Sequence, residues 1–212
     1  MLRLAVLACF AVLASAAGPC CTPKQWHGTE SMVIGSMANG KAAQGYLTKA
    51  SYMVNFDADS RRVALIGTSE TNGYASNVKV LIDYNRNVQY TVSNGTCTKQ
   101  IPNADPGSCV PANATVSGHG FLGVGSSAVN VTQYSFMIDR STAYLTVTDN
   151  CIPVAETYYG VTNGTYAFTT IAFTGIKGGL SGNTVFNLPT ECALGTGTIN
   201  GGFAVGRRSY FA

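Results

Sequence analysis

Cys20, Cys21, Cys97, Cys109, Cys151 and Cys192 are the residues of this chain best equipped for covalent chemistry, and they form an even set. The seventh cysteine, Cys9, lies in an apolar run from Leu4 to Leu13 that follows Arg3 and ends at Ala14-Ser15-Ala16. A basic residue, an apolar run and a small-x-small terminus make a secretory leader. Residues 1–17 are therefore expected to be removed, with the mature chain starting near Ala17 or Gly18. Six cysteines carried into an oxidising compartment read as disulfides. Zinc is a poor rival, because one adjacent pair and four scattered thiols contain no C-x-x-C spacing and only His27 and His119 could assist.

Asn94-Gly95-Thr96, Asn113-Ala114-Thr115, Asn130-Val131-Thr132 and Asn163-Gly164-Thr165 each fit the acceptor pattern for N-linked glycans. A carried glycan would place its asparagine on the solvent surface. No second long apolar segment follows the leader, so no transmembrane helix is expected. The predicted location is extracellular.

Other chemistry is sparsely supplied. Only 11% of residues are charged and the net charge is +3, without the clustered Lys and Arg that nucleic acid requires. Gly118-His119-Gly120-Phe121-Leu122-Gly123 matches G-x-G-x-x-G, but a dinucleotide site needs a strand before it and a helix after it. The segment reads as a flexible Gly-rich connection. No G-x-S-x-G elbow is present, and neither histidine sits in a recognisable catalytic triad. Asp57 and Asp59 bracket one residue at a turn, which suits capping or a cation better than acid–base work. No enzyme activity and no required cofactor are expected. Calcium remains possible through Asp57, Asp59, Asp139 or Asp149 with backbone oxygens. Asp83-x-Asn85-x-Asn87 copies the opening of a calcium loop, but Val88 stands where glycine is obligatory and Asn94 replaces the closing Glu.

The elements that must position these groups are strands. Gly, Thr, Val, Tyr and Ser are plentiful, and long helix-forming runs are missing. Tyr46, Thr48, Ala50, Tyr52, Val54 and Phe56 alternate with Lys49, Ser51 and Asn55, the period-two pattern of a half-buried strand. Val63 and Leu65 continue it after the Asp57-Ala58-Asp59-Ser60 turn. Val78, Val80 and Ile82 lead through Asp83-Tyr84-Asn85-Arg86-Asn87 into Val88, Tyr90 and Val92, a hairpin by chemistry and spacing. A Pro/Asn/Gly-rich loop is expected from Gly95 to about Asn113. Strands resume over 128–138, 142–148, 152–161 and 165–174. In the last of these Tyr166, Phe168 and Ala172 oppose Ala167, Ile171 and Phe173, so the strand reads as central and covered on both faces. Length suits one domain over 18–194, followed by a Gly-rich tail over 195–212. The pattern predicts an all-β chain of packed antiparallel sheets or a partly open barrel.

Pro19-Cys20 with Pro23-x-x-Trp26-x-Gly28, Asn55-Phe56-Asp57 with Arg61-Arg62-Val63, Val88-Gln89-Tyr90 ending at Cys97, Cys151-Ile152-Pro153-Val154-x-Glu156-Thr157 and Leu188-Pro189-Thr190-x-Cys192 occur in this order. On these blocks the chain resembles the ependymin-related proteins over nearly all of its mature length. The resemblance implies two stacked antiparallel sheets forming a curved, partly open barrel-like sandwich with an apolar pocket, similar to bacterial periplasmic lipoprotein carriers. It also implies an extracellular glycoprotein, a homodimer, calcium binding, and matrix adhesion or carriage of lipid-like molecules. By position in the motifs it pairs Cys20 with Cys151 and Cys97 with Cys192, leaving Cys21 and Cys109 to each other. That third pair departs from the vertebrate members. The chain also lacks their cysteines near 71–77 and in the tail, which bears on dimer geometry and calcium ligands.

Function divides into two classes. A carrier of hydrophobic small molecules or lipids needs a concave apolar pocket, for which Tyr52, Val54, Phe56, Val63, Leu65, Val80, Ile82, Tyr90 and Phe168 are the candidate lining. The same residues would equally fill a sandwich core, and periodicity does not separate the two. The alternative is a structural or adhesive extracellular-matrix glycoprotein acting in calcium-dependent cell–matrix adhesion.

Overall fold

The computed structural model describes residues 20–38, 45–102, 107–138, 141–162 and 165–193. The expected leader and Gly-rich tail lie outside these residues, as do Asp139 and Asn163.

Among the described residues eleven strands make one antiparallel sheet. They are β1 (Gln25–Ala38), β2 (Gly45–Asp57), β3 (Arg62–Thr71), β4 (Tyr74–Asp83), β5 (Val88–Ser93), β6 (Thr96–Gln100), β7 (Thr115–Leu122), β8 (Val129–Ile138), β9 (Ser141–Thr148), β10 (Pro153–Thr162) and β11 (Thr165–Gly178). Their spatial order is β6-β5-β4-β3-β2-β1-β11-β10-β9-β8-β7. The chain thus begins mid-sheet, meanders out through β2–β6 to one edge, crosses to the other edge at β7, and meanders back until β11 pairs with β1.

One contiguous core draws on both arms. It includes Trp26, Tyr52, Val54, Phe56, Val63, Leu65, Val80 and Ile82 from β1–β4, with Phe136, Leu145, Val147, Tyr158 and Ile171 from β8–β11. The only helices among the described residues are one 3₁₀ turn (Gly125–Ser127) and the four-residue α1 (Thr190–Ala193). With no helix to cover it, a sheet buries one face this fully by curling until its arms face each other. The two layers are therefore arms of a single hydrogen-bonded sheet. Among the described residues β6 and β7 do not pair, so the sheet is not closed into a barrel. Trp26 anchors the junction, stacked on Phe56 at 5.7 Å and edge-on to Phe173 at 5.9 Å.

After β11 the chain straps across the outer face of the first arm. The Ser181 amide donates to Asn55 Oδ1 at 2.9 Å, Phe186 lies under the Arg62 guanidinium at 4.5 Å, and Glu191 pairs with Lys79 at 3.1 Å. These contacts step from β2 through β3 to β4, and Cys192 then bridges to Cys97 on β6. Beneath this path Asn55, Ala64, Leu81, Val92 and Cys97 are buried although they face away from the core. Cys20–Cys151 ties the N-terminal arm to the turn after β9, and Cys21–Cys109, beside an isolated β-bridge, ties it to the β6–β7 crossover.

The structure departs from the sequence expectations in three places. The expected loop after Gly95 contains β6, because Asn94 (φ 47°) and Gly95 (φ 81°) adopt the left-handed conformation of a tight hairpin turn. The Gly118–Gly123 segment forms most of β7 instead of a flexible connection. Pairing with β8 overrides the low strand propensity of glycine. Finally, β11 is central but not covered on both faces: Tyr166, Phe168 and Ala172 are exposed.

Candidate functional site

That bare face is the most prominent candidate site. Across the sheet, Leu47 on β2, Gly35 on β1, Phe168 on β11 and Tyr159 on β10 stand in register on the outer surface. The neighbouring outward row holds Met37, Tyr166 and Val161. Leu47, Tyr159, Tyr166 and Phe168 are each about half exposed (46–53%). Large apolar side chains flank a glycine, and a Cβ built on Gly35 meets nothing within 4 Å. Gly35 is the floor of a shallow groove of about 730 Å³. Tyr144 extends the aromatic surface, stacking on Tyr159 at 6.1 Å. The hydrogen bond that the Tyr144 phenol makes to Tyr159 holds its proton and pushes the phenol above its ordinary value. Among the described residues the strap after β11 covers the outer face of the first arm, where it is anchored on β2, β3, β4 and β6, and makes no contact with this region.

The sequence-predicted lining falls in two places. Tyr52, Val54, Phe56, Val63, Leu65, Val80 and Ile82 point between the arms and pack in the core, none more than 4% exposed. Tyr90 and Phe168 are on the opposite face. Phe168 lines the outer groove, whereas Tyr90 is half-buried on β5 with the Lys99 ammonium 5.9 Å from its ring.

The acidic candidates are engaged locally. Asp57 accepts from the Ser60 amide at 3.0 Å and faces Arg62 at 3.6 Å. Burial pulls its carboxyl upward, but the Ser60 amide and hydroxyl, Gln25 and Arg62 together hold it below the ordinary value. Asp59 pairs with Lys24 at 3.2 Å, and Asp149 accepts from Asn130 Nδ2 at 3.1 Å. Among the described residues no three His, Cys, Asp or Glu side chains group as metal ligands would. His27 Nδ1 meets the Gly179 carbonyl at 2.9 Å, and His119 meets the Thr132 hydroxyl at 3.2 Å. Asp83 caps its turn through the Arg86 amide at 3.0 Å.

Of the sequon asparagines, Asn94, Asn113 and Asn130 are all exposed. No helix among the described residues is long and apolar enough to cross a membrane.

Two acids lie inside the core, Glu30, which the sequence reading did not single out, and Glu156, which it named only within the Cys151–Thr157 block. Glu30 on β1 is fully buried with Tyr52 directly opposite on β2, and Glu156 on β10 accepts the Tyr158 hydroxyl at 2.6 Å. The signal was there: each glutamate is in phase with apolar residues two positions along its strand, Met32 after Glu30 and Tyr158 after Glu156.

Comparison with known proteins gives one family. A family model described as Ependymin matches residues 72–192. The development-specific protein LVN1.2 of Lytechinus variegatus is 32% identical over 91 residues, 41% of this chain. The chain spans about half (48%) of that protein's length. Among solved structures, an uncharacterized conserved protein of Thermus thermophilus aligns over 79% of this chain and 87% of its own, at 8% identity and a TM-score of 0.47. PNGF-II aligns over 76% of this chain and 30% of its own, at 10% identity and a TM-score of 0.32. At such scores the two structures carry no argument about function.

Proposed function

The chain belongs to the ependymin family, and we propose that it is a secreted, disulfide-stapled glycoprotein that binds a lipid-like molecule along the outward groove of β1, β2, β10 and β11. Three disulfides suit an oxidising compartment. The groove carries the reading. Contiguous exposed apolar surface with aromatic walls marks a binding face on a water-soluble protein, and its volume is in the range of small-molecule sites. An extended acyl chain matches an open trough floored by glycine better than a compact polar ligand would. The space between the arms, by contrast, is occupied by the packed side chains of the predicted pocket.

The test uses full-length protein secreted from a glycosylating host. Native mass spectrometry and solvent extraction look for a co-purified lipid, and a fluorescent fatty acid is titrated against wild type and Phe168→Ser. Binding weakened about tenfold by this change, a loss of ~1.4 kcal/mol, is the expected result. Empty protein that does not bind the probe overturns the reading. So does a variant that binds normally but sediments differently, since the face would then be covered by a second copy or a matrix partner.

A further inference from the structure

A second concavity lies on the inner side of the first arm, near its end. Two hairpins border it: the one that turns at Asn72-Gly73, whose flanking Thr71 and Tyr74 line the cleft, and the one that turns at Asn94-Gly95, whose Asn94 lines it. The β4–β5 ladder ends at Val78↔Ser93, so β4 outruns β5 by Tyr74, Ala75 and Ser76, plus the turn-flanking Asn77. The Asn94 amide closes the corner on the Asn77 carbonyl at 3.2 Å. Among the described residues no strand pairs with Tyr74–Ser76 on the side facing the β5–β6 turn. The result is a ledge on which the Ala75 amide and carbonyl face the β5–β6 turn without a strand partner, those of Tyr74 and Ser76 being turned to β3, beside a cleft of about 360 Å³.

The chemistry of this cleft is specific. Its lining includes the hydroxyl residues Ser69, Ser76, Thr91, Ser93 and Thr98, with the apolar surface of Ala75 and Val78 between them. Tyr74 stands at the rim, 84% exposed. Closely spaced hydroxyls and an open aromatic face are what a pyranose ring uses: its hydroxyl and acetamido groups hydrogen-bond while its C–H face lies on the ring. The Asn94-Gly95-Thr96 sequon contributes its first and third residues to the same lining. Asn94 is held through its side-chain oxygen, which accepts the Asn77 amide at 3.3 Å. The nitrogen that carries an N-linked glycan is outside that bond.

We propose that the glycan on Asn94 folds back onto this cleft, with its core N-acetylglucosamine residues along the β4 ledge and a sugar face stacked on Tyr74. The ledge of three residues is roughly 10 Å long at ~3.3 Å per residue, enough for a two-sugar core. The docked sugars supply backbone partners to Ala75 and cap the end of the arm. Tyr74 is a sugar platform here, which accounts for a large aromatic side chain left in solvent. This inference rests on passage through the secretory route proposed above, but not on the apolar groove.

Full-length protein is secreted from a glycosylating host, and glycopeptide mass spectrometry measures occupancy at each sequon. Native protein is then treated with an amidase that releases N-glycans, and release is followed at Asn94 and Asn113. Release at Asn94 is expected to be about tenfold slower than at Asn113 in wild type. Tyr74→Ala should abolish the difference; this residue is exposed and its loss leaves the fold intact. Equal release in wild type overturns the proposal, as does slow release that persists in Tyr74→Ala or an unoccupied Asn94 beside occupied Asn113 and Asn130. Lack of glycan at every sequon would remove the secreted-glycoprotein reading as well.

Discussion

Tyr158 and Glu156 share the inner face of β10, and the tyrosine hydroxyl donates to the glutamate carboxyl across 2.6 Å inside the core. A buried hydrogen bond to an acid is costly to lose because the acceptor cannot turn to water. Tyr158→Phe keeps the ring and removes this donor, so it should destabilise the protein by about 1–3 kcal/mol. Denaturant titration checks this, and an unchanged midpoint would show that the pair contributes nothing to stability.

Gly35 offers the opposite kind of test. Space above it is open and a strand residue with a side chain is favoured over glycine. Gly35→Val should leave the melting temperature equal or higher while filling the groove floor and weakening binding of a fluorescent fatty acid. Retained affinity would place the ligand elsewhere.

Gly67 tolerates no such change. A Cβ there would collide with the Ser51 carbonyl oxygen on the neighbouring strand. Gly67→Ala must part β2 from β3 or strain the backbone, with an expected cost of ~1–3 kcal/mol. Thermal denaturation reads it directly, beside Gly35→Val as the permissive control.

Asp57 links stability to pH. Its folded value lies below the ordinary 3.8, so its contribution is complete above that value and is lost as pH falls through the lower folded one. Asp57→Asn should lower the melting temperature near pH 7, and the gap to wild type should narrow on acidification below about pH 4. A gap independent of pH would mean that shape, not charge, matters at this turn.

The Cys97–Cys192 bridge fastens the strap. Replacing both with Ser should cost about 2–5 kcal/mol and expose amides of β4 and β5 beneath it. Hydrogen exchange in the Leu81 and Val92 region should rise while that of β9 and β10 stays slow. Uniform acceleration would show that the strap is integral to the whole fold.

Much of the arm from β2 to β5 was legible because Tyr52, Val54 and Phe56 alternate cleanly and their turns use Asp and Asn. β1 was harder to read: buried Glu30 interrupts its apolar phase, and Gly28 and Gly35 weaken its strand signal. β6 is hard to read because Asn94-Gly95 serves a sequon and a hairpin turn at once, and its five residues are too few to show a clear alternation. Periodicity identified both apolar faces of β11 but not which was covered. That depends on where the chain goes after Gly178, a long-range fact without a local signature. Six cysteines permit fifteen connectivities, so spacing alone could not choose among them. The buried acids show the limit from the other side, since a charged residue in an apolar phase reads as an error until its partners are known.

The placement of β1 at the centre of the sheet has a kinetic consequence. Its partner β11 lies about 140 residues further along the chain, and at ~5–20 residues per second a ribosome takes roughly 7–28 seconds to deliver it. Throughout that interval β1 is an open edge, able to pair with any passing strand. The first arm can grow against it by local hairpins, but the edge is sealed only when β11 has been made. Fidelity of this fold therefore depends on guarding one nascent edge until synthesis of the sheet is complete.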